Sequence, residues 1–194
     1  MKRYCIGAVK QLFGTERQEH MKIIVVYSSK TGFTKKYAGW IAEDLNCACK
    51  PFREVSGAEL SQYDCIIYGG WLMASHVSDL VKLRKMKGLE DKKMVIFAVG
   101  ATPMESEDVI EQIEGMNLAS VESSRIPFFY FEGGINYEKM GFLNKKLLGG
   151  LRKSLEKKEK LSRDEEMMLK RLEKSYDGAD RAYIAPLIER VSRL

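Results

Sequence analysis

Residues 25–34 read Val-Val-Tyr-Ser-Ser-Lys-Thr-Gly-Phe-Thr, and this stretch decides the fold of the chain. The apolar run over residues 23–27 is short and unbroken, which is typical of a strand buried in a parallel sheet. Beyond the stretch, Tyr37, Ile41 and Leu45 recur at helical spacing. A strand, a tight turn and the N-terminus of a helix therefore meet at residues 28–34.

This turn has the chemistry of a phosphate-binding loop. A helix N-terminus offers free backbone N–H groups and the positive end of its dipole. Ser29, Thr31 and Thr34 add hydroxyl donors, so a phosphate can be held with little formal charge. Neither G-x-x-x-x-G-K-[ST] nor G-x-G-x-x-G occurs, which excludes the two commonest nucleotide loops. A hydroxyl-rich turn that only caps the helix is the alternative, and it explains one or two of these hydroxyls.

The composition is that of a globular chain with one main core. Of its 194 residues, 45% are hydrophobic, which is enough for a single domain. No apolar run is long enough to span a bilayer. Cys5, Cys47, Cys49 and Cys65 show neither a disulfide framework nor metal-ligand spacing, so we predict no metal site and a cytoplasmic location.

Residues 1–20 stand apart from the pattern that follows. Their apolar run is too short for a signal peptide, and no small-residue cleavage site follows it. We predict a flexible N-terminal extension over residues 1–20, either an arm or the product of an upstream start codon, and assign it no function. The main domain is predicted to cover residues 21–194.

Strand and helix patterns alternate from Met21 onward, as in a doubly wound α/β sheet. Five strands are predicted at residues 22–27, 48–54, 65–69, 94–99 and 127–132. Helices are predicted at residues 34–46, 77–87 and 106–115, and near the C-terminus, where an apolar stripe is formed by Ile184, Leu187, Ile188 and Val191. The expected order of the parallel strands is 2-1-3-4-5. Ligands of such sheets lie beyond the carboxyl ends of the strands, here between strands one and three.

The turn resembles the phosphate signature of the flavodoxin family, which has aliphatic, aromatic, hydroxyl and small residues at fixed positions. The matching positions are Val25, Val26, Tyr27, Ser29, Gly32, Thr34 and Ala38. The resemblance implies flavin mononucleotide (FMN) as cofactor. It assigns the phosphate to residues 29–34, that is Ser29, Lys30, Thr31, Gly32, Phe33 and Thr34. It places the isoalloxazine ring between the loops after strands three and four, at Gly69, Gly70, Trp71, Leu72, Gly100, Ala101 and Thr102.

Two features of these loops shape the expectation. Adjacent glycines suit a backbone that approaches a flavin closely. Many flavodoxins place a stacking tyrosine in the second loop, but none lies between Gly100 and Ser106, so we expect a ring that is more open on that side.

His76 is interpreted as a surface or helix-start residue rather than a proton relay. Ser106 is interpreted as a helix N-cap, and no catalytic side chain is assigned.

A basic helical insertion is predicted after strand five, over about residues 133–178. Residues 139–174 contain twelve Lys or Arg and six Asp or Glu, a net charge of +6, whereas the whole chain carries +5. Leu143, Leu147, Leu151 and Leu155 recur every four residues, so one helix face is apolar. Such a helix can lie on an anionic membrane, dock an acidic protein or cover its own domain. No nucleic acid is expected, because the segment lacks interleaved aromatic residues.

The position and character of this insertion resemble those of the quinone-dependent protoporphyrinogen oxidases of bacteria, which have a flavodoxin domain. The resemblance implies a flavin that oxidises protoporphyrinogen and passes electrons to a quinone, with the protein peripheral at the inner face of the membrane. Two other functions stay open. One is an electron carrier that docks a redox partner through the insertion, and the other is a membrane-surface or scaffold protein that has lost its flavin.

Overall fold

The computed structural model describes residues 21–194, except for the side chain of Ser120. The predicted extension, residues 1–20, lies outside the described residues. The strands are β1 (Ile23–Ser28), β2 (Ala48–Pro51), β3 (Cys65–Met73), β4 (His76–Val77), β5 (Lys93–Gly100), β6 (Phe128–Glu132), β7 (Gly134–Ile135) and β8 (Tyr176–Asp177). The α-helices are α1 (Phe33–Asp44), α2 (Gly57–Leu60), α3 (Leu80–Arg84), α4 (Glu107–Asn117), α5 (Ser120–Ser123), α6 (Phe142–Glu156), α7 (Arg163–Arg171) and α8 (Ala185–Ser192).

The main sheet has the order β2-β1-β3-β5-β6, and these five strands are all parallel. The two-residue strand β4 pairs antiparallel with the end of β3. The predicted fourth and fifth strands are therefore β5 and β6, and the predicted order 2-1-3-4-5 is confirmed. The short strands β7 and β8 form a separate antiparallel ribbon.

Both faces of the sheet are buried, as the continuous apolar strands predict. On one face, Ile24, Ile66 and Ile96 pack beneath α3 and α4. On the other face, Val25 and Ile67 pack beneath α1 and α8, together with Tyr37, Ile41, Leu187 and Val191. The alternation of side chains along each strand assigns neighbouring residues to opposite cores.

Three predicted elements have different bounds. The second strand ends at Pro51, and residues 52–54 form a short 3₁₀ helix. The third strand continues to Met73 because residues 69–71 pair with β5 and residues 72–73 pair with β4. The predicted helix over residues 77–87 is only Leu80–Arg84, since Val77 pairs in β4 and Asp79 adopts a left-handed conformation with φ 58°.

Between β6 and α8 the chain forms the β7–β8 ribbon and the helices α6 and α7. A small cluster of Ile135, Leu155 and Leu172 holds them together. The N-terminal part of α6 keeps apolar side chains exposed, including Phe142 at 83%. None of the helices within residues 21–194 is long and apolar enough to cross a membrane.

The buried thiol of Cys65 predicts a loss of stability at alkaline pH. Burial, the largest cause, raises the pKa of Cys65 from 9.0 to about 11. The unfolded thiol therefore ionises from pH 9, while the folded thiol keeps its proton until pH 11. The contribution of the Cys65 thiol to the free energy of unfolding is therefore fully present below pH 9. It decreases by about 2 kcal/mol as the pH rises from 9 to 11.

Urea unfolding at pH 8 and pH 11 measures this loss. Cys65→Ala should lose about 2 kcal/mol less than the wild type between these pH values. Cys49→Ala is the comparison because Cys49 is exposed, and burial raises the pKa of its thiol less than that of Cys65. Equal losses in wild type and Cys65→Ala would contradict the assignment.

Candidate functional site

The predicted turn lies between β1 and α1, and its backbone is arranged as an anion site. Gly32 is the N-cap of α1 in a left-handed conformation with φ 107°, and no side chain caps the helix there. The first backbone hydrogen bond at this end runs from the N–H of Lys36 to the carbonyl of Gly32. The N–H groups of Phe33, Thr34 and Lys35 thus have no acceptor among the described residues, and they face the space beyond the helix end.

The hydroxyls of the turn divide into occupied and free groups. Ser28 Oγ donates to Asp79 Oδ2 at 2.8 Å and accepts from the hydroxyl of Tyr68 at 3.2 Å. Ser29 Oγ is buried and has no hydrogen-bond partner among residues 21–194. Since buried polar atoms are almost always paired, the orphaned Ser29 hydroxyl indicates a ligand atom at the turn.

A large cleft, which we call the apolar cleft, opens beside this turn at the carboxyl ends of β1, β3 and β5. Its volume is about 1010 Å³. One wall is the end of β3, with Trp71, Leu72 and Met73, and the floor includes Gly100 and Ala101. The turn contributes Lys30, Thr31, Phe33 and Thr34, and α6 forms the outer wall through Leu143, Leu147 and Leu151.

A second cleft, the basic cleft, lies on the other side of the turn. Its volume is about 650 Å³, and its lining includes Ser29, Gly32, Lys35 and Arg53. Trp71 lines both clefts. The ammonium group of Lys30 lies 5.2 Å from the centre of the Trp71 ring, as in a cation–π contact.

Gly69 and Gly70 lie inside β3, so the loop after that strand begins only at Ala74. A Cβ on Gly69 would lie 2.0 Å from Cζ of Phe97, and one on Gly70 would lie 2.5 Å from Cγ1 of Val77. The close approach that these glycines allow is therefore between elements of the protein itself. Neither glycine lines the apolar cleft.

The second predicted loop follows β5. Gly100 and Ala101 line the apolar cleft, whereas Thr102 does not. The carbonyl of Thr102 accepts from the hydroxyl of Tyr130 at 2.8 Å. A Cβ on Gly100 would lie 2.8 Å from Cδ1 of Leu72, so this glycine lets the ends of β3 and β5 approach closely.

The expectation of a ring that is more open on this side stays a prediction, and two neighbours of the loop bear on it. Although no tyrosine lies in the loop itself, Tyr176 in β8 donates its hydroxyl to the carbonyl of Ala101 at 3.2 Å. The outer wall comes from α6, more than forty residues further along the chain. Sequence reasoning missed this wall, and its one signal was the four-residue spacing of Leu143, Leu147 and Leu151.

An ion pair fixes the back of the second loop. Arg171 Nη1 in α7 lies 2.6 Å from Glu132 Oε1 at the end of β6, and their side chains are 25% and 7% exposed. Glu132 Oε2 accepts from the N–H of Met104 at 3.2 Å. Burial opposes the charge on Arg171, but Tyr176 and Glu132 favour it, and the net effect raises the pKa of the guanidinium.

Two other singled-out residues lie outside the site. His76 is in β4, is exposed and lines neither cleft. Ser106 precedes α4, but its hydroxyl does not cap the helix and instead donates to Asp164 Oδ1 at 2.9 Å. It thereby ties α4 to α7, which the sequence interpretation did not include.

The family follows from the part of the chain that carries these features. Residues 24–162 match the model of the flavodoxin domain. The chain belongs to the flavodoxin domain family. Flavodoxin domains bind a flavin, typically FMN, for redox chemistry. The match includes the turn between β1 and α1, the carboxyl ends of β3 and β5, and α6.

Solved flavodoxin-like structures are distant from the chain. Oxidised flavodoxin 2 from Bacillus cereus is 20% identical, with 56% of this chain and 84% of that chain covered and a TM-score of 0.38. Two-electron reduced flavodoxin from Megasphaera elsdenii is 19% identical, with coverage of 56% and 82% and a TM-score of 0.41. Rubredoxin:oxygen oxidoreductase from Desulfovibrio gigas is 13% identical, with coverage of 89% and 37% and a TM-score of 0.40. No curated protein matches the sequence.

Proposed function

We propose that this flavodoxin domain binds FMN and acts as an oxidoreductase of the flavodoxin-like protoporphyrinogen oxidase type, with a quinone as electron acceptor. The observation that carries the proposal is the junction of the phosphate turn with the apolar cleft. The alternative is an electron carrier that docks a protein partner.

The residues at this junction fit FMN. The free N–H groups of α1 and the orphaned Ser29 hydroxyl would hold the phosphate. Trp71 and Leu72 would flank one side of the ring, and Gly100 and Ala101 the other. When bound, FMN would supply the electron-accepting chemistry, while the protein binds and orients it and excludes water.

The shape of the apolar cleft favours an enzyme that admits a second apolar molecule. Ligand pockets commonly measure about 300 to 1,000 Å³, so this cleft is at the upper end of the range. Leu143, Leu147 and Leu151 on α6 are still 76%, 57% and 41% exposed around it. A quinone or a tetrapyrrole is the class of molecule that would cover such a surface.

The same helix supports contact with an anionic membrane. Lys145, Lys146 and Lys153 lie near the exposed leucines and form no ion pair within the described residues. Apolar side chains and lysines on one helix suit the headgroup region of an anionic bilayer. The proposed location is therefore cytoplasmic and peripheral at the inner face of the membrane, where a quinone is available.

Lysines that form no ion pair within residues 21–194 also support the carrier. An acidic redox protein could dock on Lys139, which lines the basic cleft, and on Lys145 and Lys146 of α6, of which Lys146 lines the apolar cleft. Reduction of the bound flavin separates the two functions. A carrier is expected to take electrons in two separate one-electron steps, and the oxidase in one two-electron step.

The first experiment is to titrate the purified chain with FMN, remove free FMN and reduce the complex anaerobically while its spectrum is recorded. We expect a stoichiometric flavin spectrum and a single two-electron step. Absence of retained flavin in a folded protein would overturn the FMN proposal. Two resolved steps would favour the carrier.

The second experiment measures turnover of protoporphyrinogen by the FMN complex with a quinone in anionic vesicles. We expect turnover that requires the quinone. Leu147→Glu should lower it about tenfold by placing a charge at the cleft mouth. Val81→Glu is the matched control, because Val81 is an equally exposed apolar residue at 62% but lies on α3. A fully loaded protein without turnover would contradict the oxidase.

A further inference from the structure

The carbonyl groups of residues 100–102, at the end of β5 and the start of the loop after it, are each held by the protein. The carbonyl of Gly100 accepts from the N–H of Gly133 at 2.7 Å. The carbonyl of Ala101 accepts from Tyr176 at 3.2 Å, and that of Thr102 from Tyr130 at 2.8 Å. The loop therefore has no free acceptor at these three positions.

The N–H groups of the same peptides point the other way. A trans peptide is planar, so the N–H of each residue is directed opposite to the preceding carbonyl. The N–H groups of Ala101 and Thr102 thus point away from Gly133 and Tyr176, and neither has an acceptor within residues 21–194. Because Ala101 lines the apolar cleft, its N–H is available to a ligand there, whereas Thr102 does not line the cleft.

The charge directly behind these donors is that of Glu132 and Arg171. Arg171 Nη1 lies 2.6 Å from Glu132 Oε1 and 3.5 Å from the carbonyl of Ala101. Glu132 holds the N–H of Met104, so the pair touches the loop at both ends. With both groups charged their sum is zero, and removal of one leaves a unit charge in a largely buried place.

We propose that the Glu132–Arg171 ion pair sets how strongly the apolar cleft distinguishes reduced from oxidised flavin. This inference rests on the proposed binding of FMN. Uptake of two electrons and one proton by oxidised FMN leaves one additional negative charge on the ring. The N–H of Ala101, which lines the apolar cleft, favours that charge, and a net charge behind it strengthens or weakens the preference.

The proposal predicts opposite effects for the two partners. Glu132→Gln leaves the positive charge of Arg171, so binding of reduced FMN relative to oxidised FMN should strengthen five- to tenfold. Arg171→Gln leaves the carboxylate, so the same ratio should weaken by a similar factor. A tenfold change corresponds to about 30 mV in a two-electron midpoint potential.

A purely structural role predicts something different. If the pair only holds the loop, both substitutions loosen the same contacts and change the ratio in the same direction or not at all. The double variant Glu132→Gln/Arg171→Gln separates the two accounts. It lacks both charges and both native partners, yet on the charge account its ratio should return to within about twofold of the wild type.

The experiment is an anaerobic titration of each variant with FMN and with FMN reduced by dithionite, supported by the midpoint potential. Breaking a buried pair can destabilise a protein, so urea unfolding is measured alongside. If Arg171→Gln does not fold, Glu132→Gln and the double variant still differ only at residue 171, which is arginine in one and glutamine in the other. Ratios that shift in opposite directions support the proposal.

Equal ratios in Glu132→Gln and the double variant would overturn it. Failure of the proposed function would look different, since the wild type itself would retain neither form of FMN. The two failures are therefore distinguishable within one set of titrations.

Discussion

Gly69→Ala is expected to destabilise the protein by about 3 kcal/mol in the absence of any flavin. The new methyl carbon would lie 2.0 to 2.5 Å from three ring atoms of Phe97. That ring is fully buried and packs 5.4 Å from the ring of Phe131, measured between centroids. It cannot move aside without displacing the core between β5, β6 and α1.

Urea unfolding of the flavin-free protein measures this effect. Gly39→Ala is the matched control, because Gly39 lies within α1 and a Cβ there meets no atom within 4 Å. That change should stabilise the helix by up to about 1 kcal/mol. The double variant Gly69→Ala/Phe97→Leu should recover part of the lost stability. A Gly69→Ala protein as stable as the wild type would restore the view that this glycine serves only the flavin.

The two explanations of Gly69 show where sequence reasoning reaches its limit. A glycine pair after an apolar strand is compatible with a ligand loop and with a crowded strand. The deciding neighbour, Phe97, comes 28 residues later and is placed beside Gly69 only by the pairing of β3 with β5. The sequence pattern predicted both strands but not which side chain of one would cover the other.

The order of the sheet was predictable because its signals are local. Apolar strands, a turn with Gly32 and helical spacing in α1 each lie within a few residues. The helix after β4 was predicted too long because its start depends partly on a contact that is distant in sequence. Its apolar spacing fits a helix, but Asp79 accepts from Ser28 and Lys82 in a conformation that starts the helix late.

In the candidate site, too, the part formed by one local stretch was predictable and the part formed by distant elements was not. The turn between β1 and α1 is one continuous stretch, so its position followed from the sequence, and its phosphate chemistry stays a prediction. The outer wall of the apolar cleft is built from α6, and the spacing of its leucines predicted a helix without saying what it contacts. In the structure Leu155 is buried at 6% exposure while Leu143 is 76% exposed, so one end of the stripe anchors the helix and the other remains at the cleft mouth. Only tertiary packing distinguishes those ends.

The second large effect is expected for Thr31→Glu, which should weaken FMN binding about 100-fold. Thr31 lines both the apolar and the basic cleft and is only partly buried, so the turn can accommodate a larger side chain. A carboxylate there would face the phosphate of FMN, which carries more than one negative charge near neutral pH. Repulsion of about 3 kcal/mol at this partly screened site corresponds to that factor.

Thr31→Gln is the matched control, since it has the same shape as glutamate without the charge, and it should weaken FMN by no more than about threefold. Riboflavin provides the second comparison because it has the same ring and no phosphate. Its affinity, measured by the same fluorescence titration, should be nearly equal in Thr31→Glu and Thr31→Gln. If glutamate weakens riboflavin as much as FMN, the turn does not hold the phosphate, and the free N–H groups of α1 would need a different ligand.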